Sequence, residues 1–147
     1  MKIFFDTEFL ELPTETLLLS IGLIRDDGKS YYAELDSTDR SLANDWVKEN
    51  VLPLMNGPVK SRNVIAFEIK EFCENNPEFW AFFGMFDMIL LMRLFDGMIA
   101  WPETWPQYVN DICKLGPEKI IPPQSSIKHH ALNDAIWVKY AYEYLVK

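Results

Sequence analysis

The sequence predicts an α/β fold in which helices cover a mixed central sheet, and two observations lead to this prediction. Residues 1–35 contain three apolar segments separated by short polar ones, a pattern typical of an antiparallel meander. Beyond residue 37 the apolar positions take helical spacing, interrupted by one compact aromatic segment at 78–83. Strands followed by alternating strand and helix favour helices packed on a sheet.

The three opening strands are predicted at residues 2–7, 16–25 and 30–35. The second is apolar along almost its whole length, which is typical of a buried strand. Asp26-Asp27-Gly28-Lys29 joins it to the third and predicts a tight turn, because Asp and Gly tolerate the positive φ angles of short hairpins. Residues 78–83 are predicted as a fourth strand, joined to the meander through helices.

Four helices are predicted from the apolar spacing in the remaining chain. Pro53 is expected to end the first, and Ser61 is a plausible N-cap for the second. Residues 107–115 fit either a short helix or a strand, and residues 119–126 predict a proline-containing loop. In chain order the predicted helices cover 41–54, 61–75, 86–95 and 131–147.

Length and composition predict one globular domain over residues 1–147, because 49% of the residues are hydrophobic and the chain can bury a sizeable core. No apolar run reaches the roughly 20 residues of a membrane span, so no membrane partner is expected. Asp6 and Glu8 interrupt the N-terminal apolar segment, which argues against a signal peptide. Cys73 and Cys113 lack metal-site spacing and are typical of reduced thiols in a cytoplasmic protein.

The net charge of −8 argues against the basic surface by which most nucleic-acid-binding proteins attract phosphate. Charge alone favours a protein that does not bind nucleic acid, such as an acidic protein-interaction domain. Bound cations, however, can invert the local charge of an acidic site. An enzyme that holds phosphate through metal ions therefore stays compatible with this composition.

Two acids two residues apart, Asp6 and Glu8, end the first predicted strand. Residues i and i+2 of a strand point to the same face, so both carboxylates project together. Like charges at that separation repel unless a cation lies between them, and a divalent metal is the simplest candidate. The alternative is a solvent-facing strand, which the preceding apolar segment Ile3-Phe4-Phe5 makes less attractive.

Two further acids fall in the first turns of predicted helices. Asp87 and Asp134 there have an ordinary explanation, since aspartate complements the helix dipole. Asp87 has only apolar neighbours, however, and a charge in such surroundings is usually paired or metal-bound. His129 and His130 precede the last helix, and an imidazole in that loop can accept a proton near neutral pH.

Asp6-Thr7-Glu8, the distant Asp87 and a closing His129-x-x-x-x-Asp134 together resemble the DEDDh 3′–5′ exonuclease family. Residues 129–135 are similar to the family's His-x-Ala-x-x-Asp-Ala motif, whose spacing selects His129 over His130. The small RNase AS-type exoribonucleases are more similar still, with matching segments at 4–9, 19–24, 46–47, 51–53, 77–80 and 105–106. One departure is Phe86, which stands where the family has tyrosine before the third acid.

This resemblance implies a ribonuclease H-like fold and stepwise hydrolysis from a single-stranded 3′ end, with RNA favoured over DNA, to release nucleoside 5′-monophosphates. It implies two divalent ions, Mg²⁺ or Mn²⁺, with His129 as general base, and a homodimer. A DNA-directed exonuclease and a non-catalytic binding module of the same fold stay open. By the same resemblance, the metal ligands are Asp6, Glu8, Asp87 and Asp134, and these four acids also count as catalytic residues.

Candidate substrate-binding residues follow from position, because single-stranded nucleic acids are held by aromatic stacking and backbone contacts. Phe9 and Leu10, directly after Glu8, are the best placed to meet a terminal base, and Thr7 adjoins both acids. Trp105 is a weaker candidate, since large aromatic residues usually pack in a core. Arg62 is a candidate for backbone phosphate, with a solvated helix end as its ordinary alternative.

Overall fold

The computed structural model describes residues 1–117, 120–124 and 126–147. Within them the chain forms a six-stranded mixed sheet and four α-helices, which confirms the predicted α/β class. Residues 119 and 125 of the predicted loop lie outside the described part. The strands are β1 Lys2–Glu11, β2 Thr16–Arg25, β3 Ser30–Leu35, β4 Val59–Lys60, β5 Glu78–Ala81 and β6 Asn110–Asp111; the helices are α1 Asp45–Asn50, α2 Arg62–Cys73, α3 Met85–Leu94 and α4 Ala131–Leu145.

The strands lie in the order β4-β3-β2-β1-β5-β6. β1, β2 and β3 pair antiparallel, which confirms the predicted meander, and Gly28 supplies the left-handed conformation of the turn at φ +90°. β4, β5 and β6 each join by parallel pairing. β1 contacts β5 only through Lys2–Phe4, so its later residues continue past the end of β5.

The predicted helix at 41–54 is wrong as a single element. The structure has the short helix α1 between two 3-10 turns, at Arg40–Leu42 and Leu52–Leu54. Asn44 starts α1 by accepting a hydrogen bond from the Val47 backbone N–H at 2.9 Å. The Asn44 cap and the two 3-10 turns divide the segment, although its apolar spacing resembles that of a single helix.

Other boundaries differ in smaller ways. Ser61 occupies the N-cap position of α2, but its side chain makes no capping bond. Residues 107–115 contain a strand and then a turn: β6 is followed by a 3-10 turn at Ile112–Leu115, which begins where Asp111 accepts a hydrogen bond from the Cys113 backbone N–H.

The two faces of the sheet carry separate parts of the core. Ile3 and Phe5 pack in the cluster that contains residues of α2 and α3, whereas the alternate residue Phe4 packs with α4. α4 comes very close to β2 at Gly22, where a Cβ atom would lie 2.3 Å from the Leu132 backbone nitrogen. Gly22 pairs directly with Asp6 across the ladder, so the first turn of α4 lies beside that carboxylate.

Candidate active site

Three elements bring the four predicted acids together at the free end of β1. Asp6 and Glu8 face α4, as their strand spacing predicts, and the intervening Thr7 faces α3. Asp87 and Asp134 lie in the first turns of α3 and α4. The pKa of Asp6 is raised well above its ordinary value, first by burial and then by the charges of Asp87, Glu8 and Asp134, so all four acids are electrostatic neighbours.

Crowding perturbs two other acids of the cluster. Burial, followed by the charges of Asp134 and Asp87, raises the pKa of Glu8 to about 8. Burial raises the pKa of Asp87 to about 6, and its hydrogen bonds with Thr7 oppose this rise. The Thr7 backbone N–H donates to Asp87 Oδ1 at 2.9 Å and its hydroxyl donates to the same oxygen. These bonds fix the α3 carboxylate against β1.

One imidazole joins the acidic cluster. Ligand atoms of Glu8, His129 and Asp134 all lie within 4.8 Å of one another. Carboxylate oxygens suit a hard divalent cation, which would also relieve the repulsion that raises the acids' pKa values and would lie beside the His129 imidazole. The donor set therefore fits the metal chemistry expected from the sequence.

His129 is held by its backbone as well as by its position before α4. Its N–H donates to Asp134 Oδ2 at 3.0 Å, and it adopts a left-handed conformation at φ +68°. Gln124 Nε2 donates to the other carboxylate oxygen at 2.5 Å. Left-handed backbone is costly for a residue with a side chain, so the Asp134 contact stabilises an otherwise unfavourable geometry.

The two adjacent histidines have different surroundings. The His129 ring contacts Trp46 edge-on, with ring centroids 4.9 Å apart. His130 instead stacks on Tyr32 at 4.4 Å, and its Nε2 lies 3.2 Å from Asn56 Oδ1. The structure thus brings His129, and not His130, to the acids.

Trp46 is a site residue that sequence reasoning missed. It falls within the predicted helix at 41–54, yet its side chain is 51% exposed while the adjacent Val47 is buried. Successive positions of a helix project about 100° apart, and of these two neighbours it is Val47 that packs in the core. With His129 it forms an aromatic wall beside Glu8.

Two cavities adjoin the acids and share no lining residue. We call the first the α4 cavity and the second the α1 cavity. The α4 cavity has a volume of about 410 Å³ and is lined by Asp6, Phe82, Ile121, Pro122, Pro123, Gln124, Lys128, His129, Asp134, Trp137 and Val138. The α1 cavity has a volume of about 280 Å³ and is lined by Glu8, Phe9, Glu11, Asn44, Trp46, Val47 and Val51.

Of the five predicted substrate-binding residues, Phe9 alone lines either cavity. Leu10 is buried in the small core cluster beside α1, and Thr7 is buried against Asp87. The α1 cavity therefore retains one predicted aromatic contact.

The other two predicted contacts lie elsewhere. Arg62 pairs with Asp96 at 2.7 Å and donates to the Leu94 carbonyl, at the far end of α3. Trp105 is 5% exposed, and its indole N–H donates to the Glu74 carbonyl at 2.8 Å. Because these contacts engage both side chains away from the acids, neither residue enters the function proposed below.

Comparisons with known proteins agree with the geometry. The 3′-5′ exoribonuclease Rv2179c-like domain model matches residues 1–146. The chain is 34% identical over 146 residues to the 3′-5′ exoribonuclease Rv2179c of Mycobacterium tuberculosis strain H37Rv, covering 92% of this chain and 87% of that protein. The protein MT2234.1 of strain CDC 1551 gives the same values.

Solved structures with a similar fold are those of exonuclease I. The zinc-bound form of the E. coli exonuclease I complex with single-stranded DNA gives a TM-score of 0.69 at 17% identity. A second exonuclease I structure gives 0.65 at 14% identity. Both matches cover 99% of this chain but only 40% and 43% of the exonuclease chains, respectively. They confirm the predicted ribonuclease H-like fold.

The family model and the curated relatives extend over almost the whole chain, and the acids and histidine of the motif converge in the structure. This chain therefore belongs to the Rv2179c-like family of 3′-5′ exoribonuclease domains, of the DEDDh type.

Proposed function

We propose that residues 1–147 form one metal-dependent exoribonuclease domain that removes nucleoside 5′-monophosphates from the 3′ end of RNA. The observation that carries this proposal is the convergence of four carboxylates and one histidine at the free end of β1. A site built from acids cannot hold phosphate by itself, and its burial favours partial protonation. Bound cations resolve both difficulties.

We assign Asp6, Glu8, Asp87 and Asp134 to the binding of two divalent ions, Mg²⁺ or Mn²⁺. Such ions polarise a phosphate and stabilise the attacking and leaving oxygens of an in-line displacement. His129 acts as general base and removes the proton of the attacking water. An imidazole next to the metal-binding acids is the side chain most often used for that role in enzymes.

The α1 cavity receives the terminal nucleotide. Phe9 and Trp46 supply aromatic surfaces for its base. Glu8 and Glu11 supply hydrogen-bond acceptors, which suit the free 2′- and 3′-hydroxyl donors of a terminal ribose. Among the residues that the structure describes, no lysine or arginine lines this cavity, so it fits a nucleotide whose single phosphate lies at the acids.

The negative charge of the α1 cavity predicts that RNA ending in a 3′-phosphate resists hydrolysis, because the Glu8 and Glu11 carboxylates would repel the added dianion. Matched oligomers with a 3′-hydroxyl and a 3′-phosphate, compared by initial rate in Mn²⁺, measure the effect. We expect a loss of at least about tenfold, which corresponds to roughly 1.4 kcal/mol. Equal rates would show that the terminal ribose does not bind in this cavity.

The experiment that tests the function uses 5′- and 3′-labelled RNA and DNA oligomers with Mg²⁺ or Mn²⁺. Stepwise shortening from the RNA 3′ end, abolished by EDTA and by Asp6→Asn, is the expected result. Equal or faster shortening of DNA would make the protein a DNA-directed exonuclease. Absence of hydrolysis together with absence of Mn²⁺ binding in calorimetry would leave a non-catalytic module.

Two further properties remain proposals. A homodimer follows from the family resemblance, and sedimentation equilibrium tests it. A cytoplasmic location follows from the cysteine pattern, and cell fractionation tests it. In the described part of the chain, the longest helices are too short or too polar to cross a bilayer.

A further inference from the structure

A lysine side chain, that of Lys128, lines the α4 cavity, and the proposed exonuclease mechanism gives it no role. Lys128 is exposed, and among the described residues it makes no ion pair or hydrogen bond. Asp6 and Asp134 line the same cavity. An ammonium group near two carboxylates that pairs with neither is available to a ligand anion.

The walls of this cavity suit a nucleotide. Phe82 and Trp137 pack edge to face, with ring centroids 5.0 Å apart, and the Trp137 indole N–H donates to the Pro122 carbonyl at 3.0 Å. That bond fixes the indole beside the Pro122 segment, which also lines the cavity. Aromatic surfaces beside a cation are the combination by which proteins bind single strands without strict sequence preference.

Charge distinguishes the two cavities. A phosphodiester cleaved at the acids has the terminal nucleoside on one side and the rest of the strand on the other. The terminal side brings hydroxyl groups and no further phosphate, which suits the Glu8 and Glu11 carboxylates of the α1 cavity. The other side brings the next phosphate of the strand, which suits the Lys128 ammonium group of the α4 cavity.

We propose that the α4 cavity binds the RNA strand upstream of the scissile bond, with Lys128 at the next phosphate and the Phe82–Trp137 wall against the adjoining nucleoside. The proposal rests on the exonuclease function and adds a direction to it. The strand runs from the α4 cavity across the acids and ends in the α1 cavity.

The test compares two substrates that differ only upstream of the scissile phosphate. A short RNA oligomer has an upstream nucleotide, whereas the p-nitrophenyl ester of uridine 5′-monophosphate does not. The measured quantity is the substrate ratio, which is kcat/KM for the oligomer divided by kcat/KM for the ester. We expect Lys128→Ala to lower this ratio about fivefold. Lys128→Glu should lower it further. The slope of log KM against log salt for the oligomer should decrease by about 0.7, the value for one lost phosphate contact in a single strand.

Lys70→Ala is the matched control, because Lys70 is an exposed lysine of α2 on the other face of the sheet. It should leave the substrate ratio unchanged. Trp137→Phe retains an aromatic wall of smaller area and should lower the ratio by a few-fold. An unchanged ratio for both Lys128 variants, or equal losses on both substrates, would overturn the proposal.

A binding measurement separates this proposal from the exonuclease function. The probe is a fluorescein-labelled RNA oligomer with a nonhydrolysable 3′-terminal linkage, followed by anisotropy. If the unaltered protein hydrolyses neither substrate, the exonuclease function fails, and the probe still decides about the cavity. Weaker binding by Lys128→Ala with a smaller salt slope supports binding of the upstream strand in the α4 cavity, whereas wild-type affinity and slope overturn it.

Discussion

At the scale of single residues, the sequence indicated which acids the structure brings together but not the side chains that surround them. Asp6 and Glu8 were predictable as a pair, because the alternation of side chains along a strand places both on the same face. Trp46 was not, since its role depends on exposure, which only the broken helix around it reveals. The left-handed backbone of His129 carries no sequence signal, because it depends on the Asp134 carboxylate five residues later.

The position of His129 among the acids leads to a prediction at this scale. His129→Ala should lower kcat by about 10²–10⁴-fold, the usual contribution of a general base, while Mn²⁺ binding by calorimetry persists. Added imidazole should restore part of the lost rate. His130→Ala should lose far less, because His130 packs on Tyr32 away from the acids. Full activity in His129→Ala would show that another group takes the proton.

At the scale of elements, apolar spacing was reliable where packing decides the structure and unreliable where caps decide it. The predicted helix at 86–95 differs from α3 by one residue at each end. The helix at 41–54 failed because Asn44 caps a shorter element within it. β4 has only two residues and exists through its parallel pairing with β3, so no local pattern could indicate it.

The approach of α4 to the sheet gives an element-scale prediction. Gly22→Ala places a methyl group where the backbone of the first turn of α4 lies, so that turn must move away from Asp6. We expect overpacking to cost about 1–3 kcal/mol of unfolding free energy, together with a loss of Mn²⁺ affinity of at least about tenfold.

Gly97→Ala is the comparison for that experiment. Gly97, unlike Gly22, sits at positive φ, and a Cβ atom there would meet nothing within 4 Å. It should therefore cost some stability through backbone strain and leave Mn²⁺ affinity intact. Equal Mn²⁺ affinities of Gly22→Ala and the unaltered protein would show that α4 can shift without disturbing the acids.

At the scale of the whole molecule, the acidic composition was a misleading guide to function. A net charge of −8 favoured a protein without nucleic-acid contacts. The structure gathers four of the acids at one point, where cations rather than a basic surface would meet the phosphate. Bulk charge could not reveal this, because it reports the sum of charges and not their arrangement.

Burial of those acids makes the stability of the metal-free protein depend on pH. The pKa of Glu8 is raised to about 8 and that of Asp87 to about 6, so the folded state binds protons that the unfolded chain has released at the same pH. For raised carboxyl pKa values, this stabilisation is present below the unfolded value and is lost as pH rises through the folded value.

In EDTA we therefore expect the Tm to fall by roughly 3–8 °C between pH 5 and pH 8, as for a domain of this size losing a few kcal/mol. Glu8→Gln should flatten the dependence, since the amide does not titrate. Mn²⁺ should raise the Tm more at pH 8 than at pH 5, because it binds ionised carboxylates. A Tm that rises across this interval in EDTA would contradict the burial-based account.

The difference in charge between the two cavities has a kinetic consequence. Among the described residues, Lys128 is the single lysine of the α4 cavity proposed to hold the upstream strand, so binding of the remaining oligomer after each cut should be weak and salt-sensitive. If the proposal holds, the shortened strand should dissociate more readily than it advances, and we expect distributive hydrolysis. All strands in a mixture would shorten together, and the turnover rate would cease to depend on oligomer length once the α4 cavity is filled.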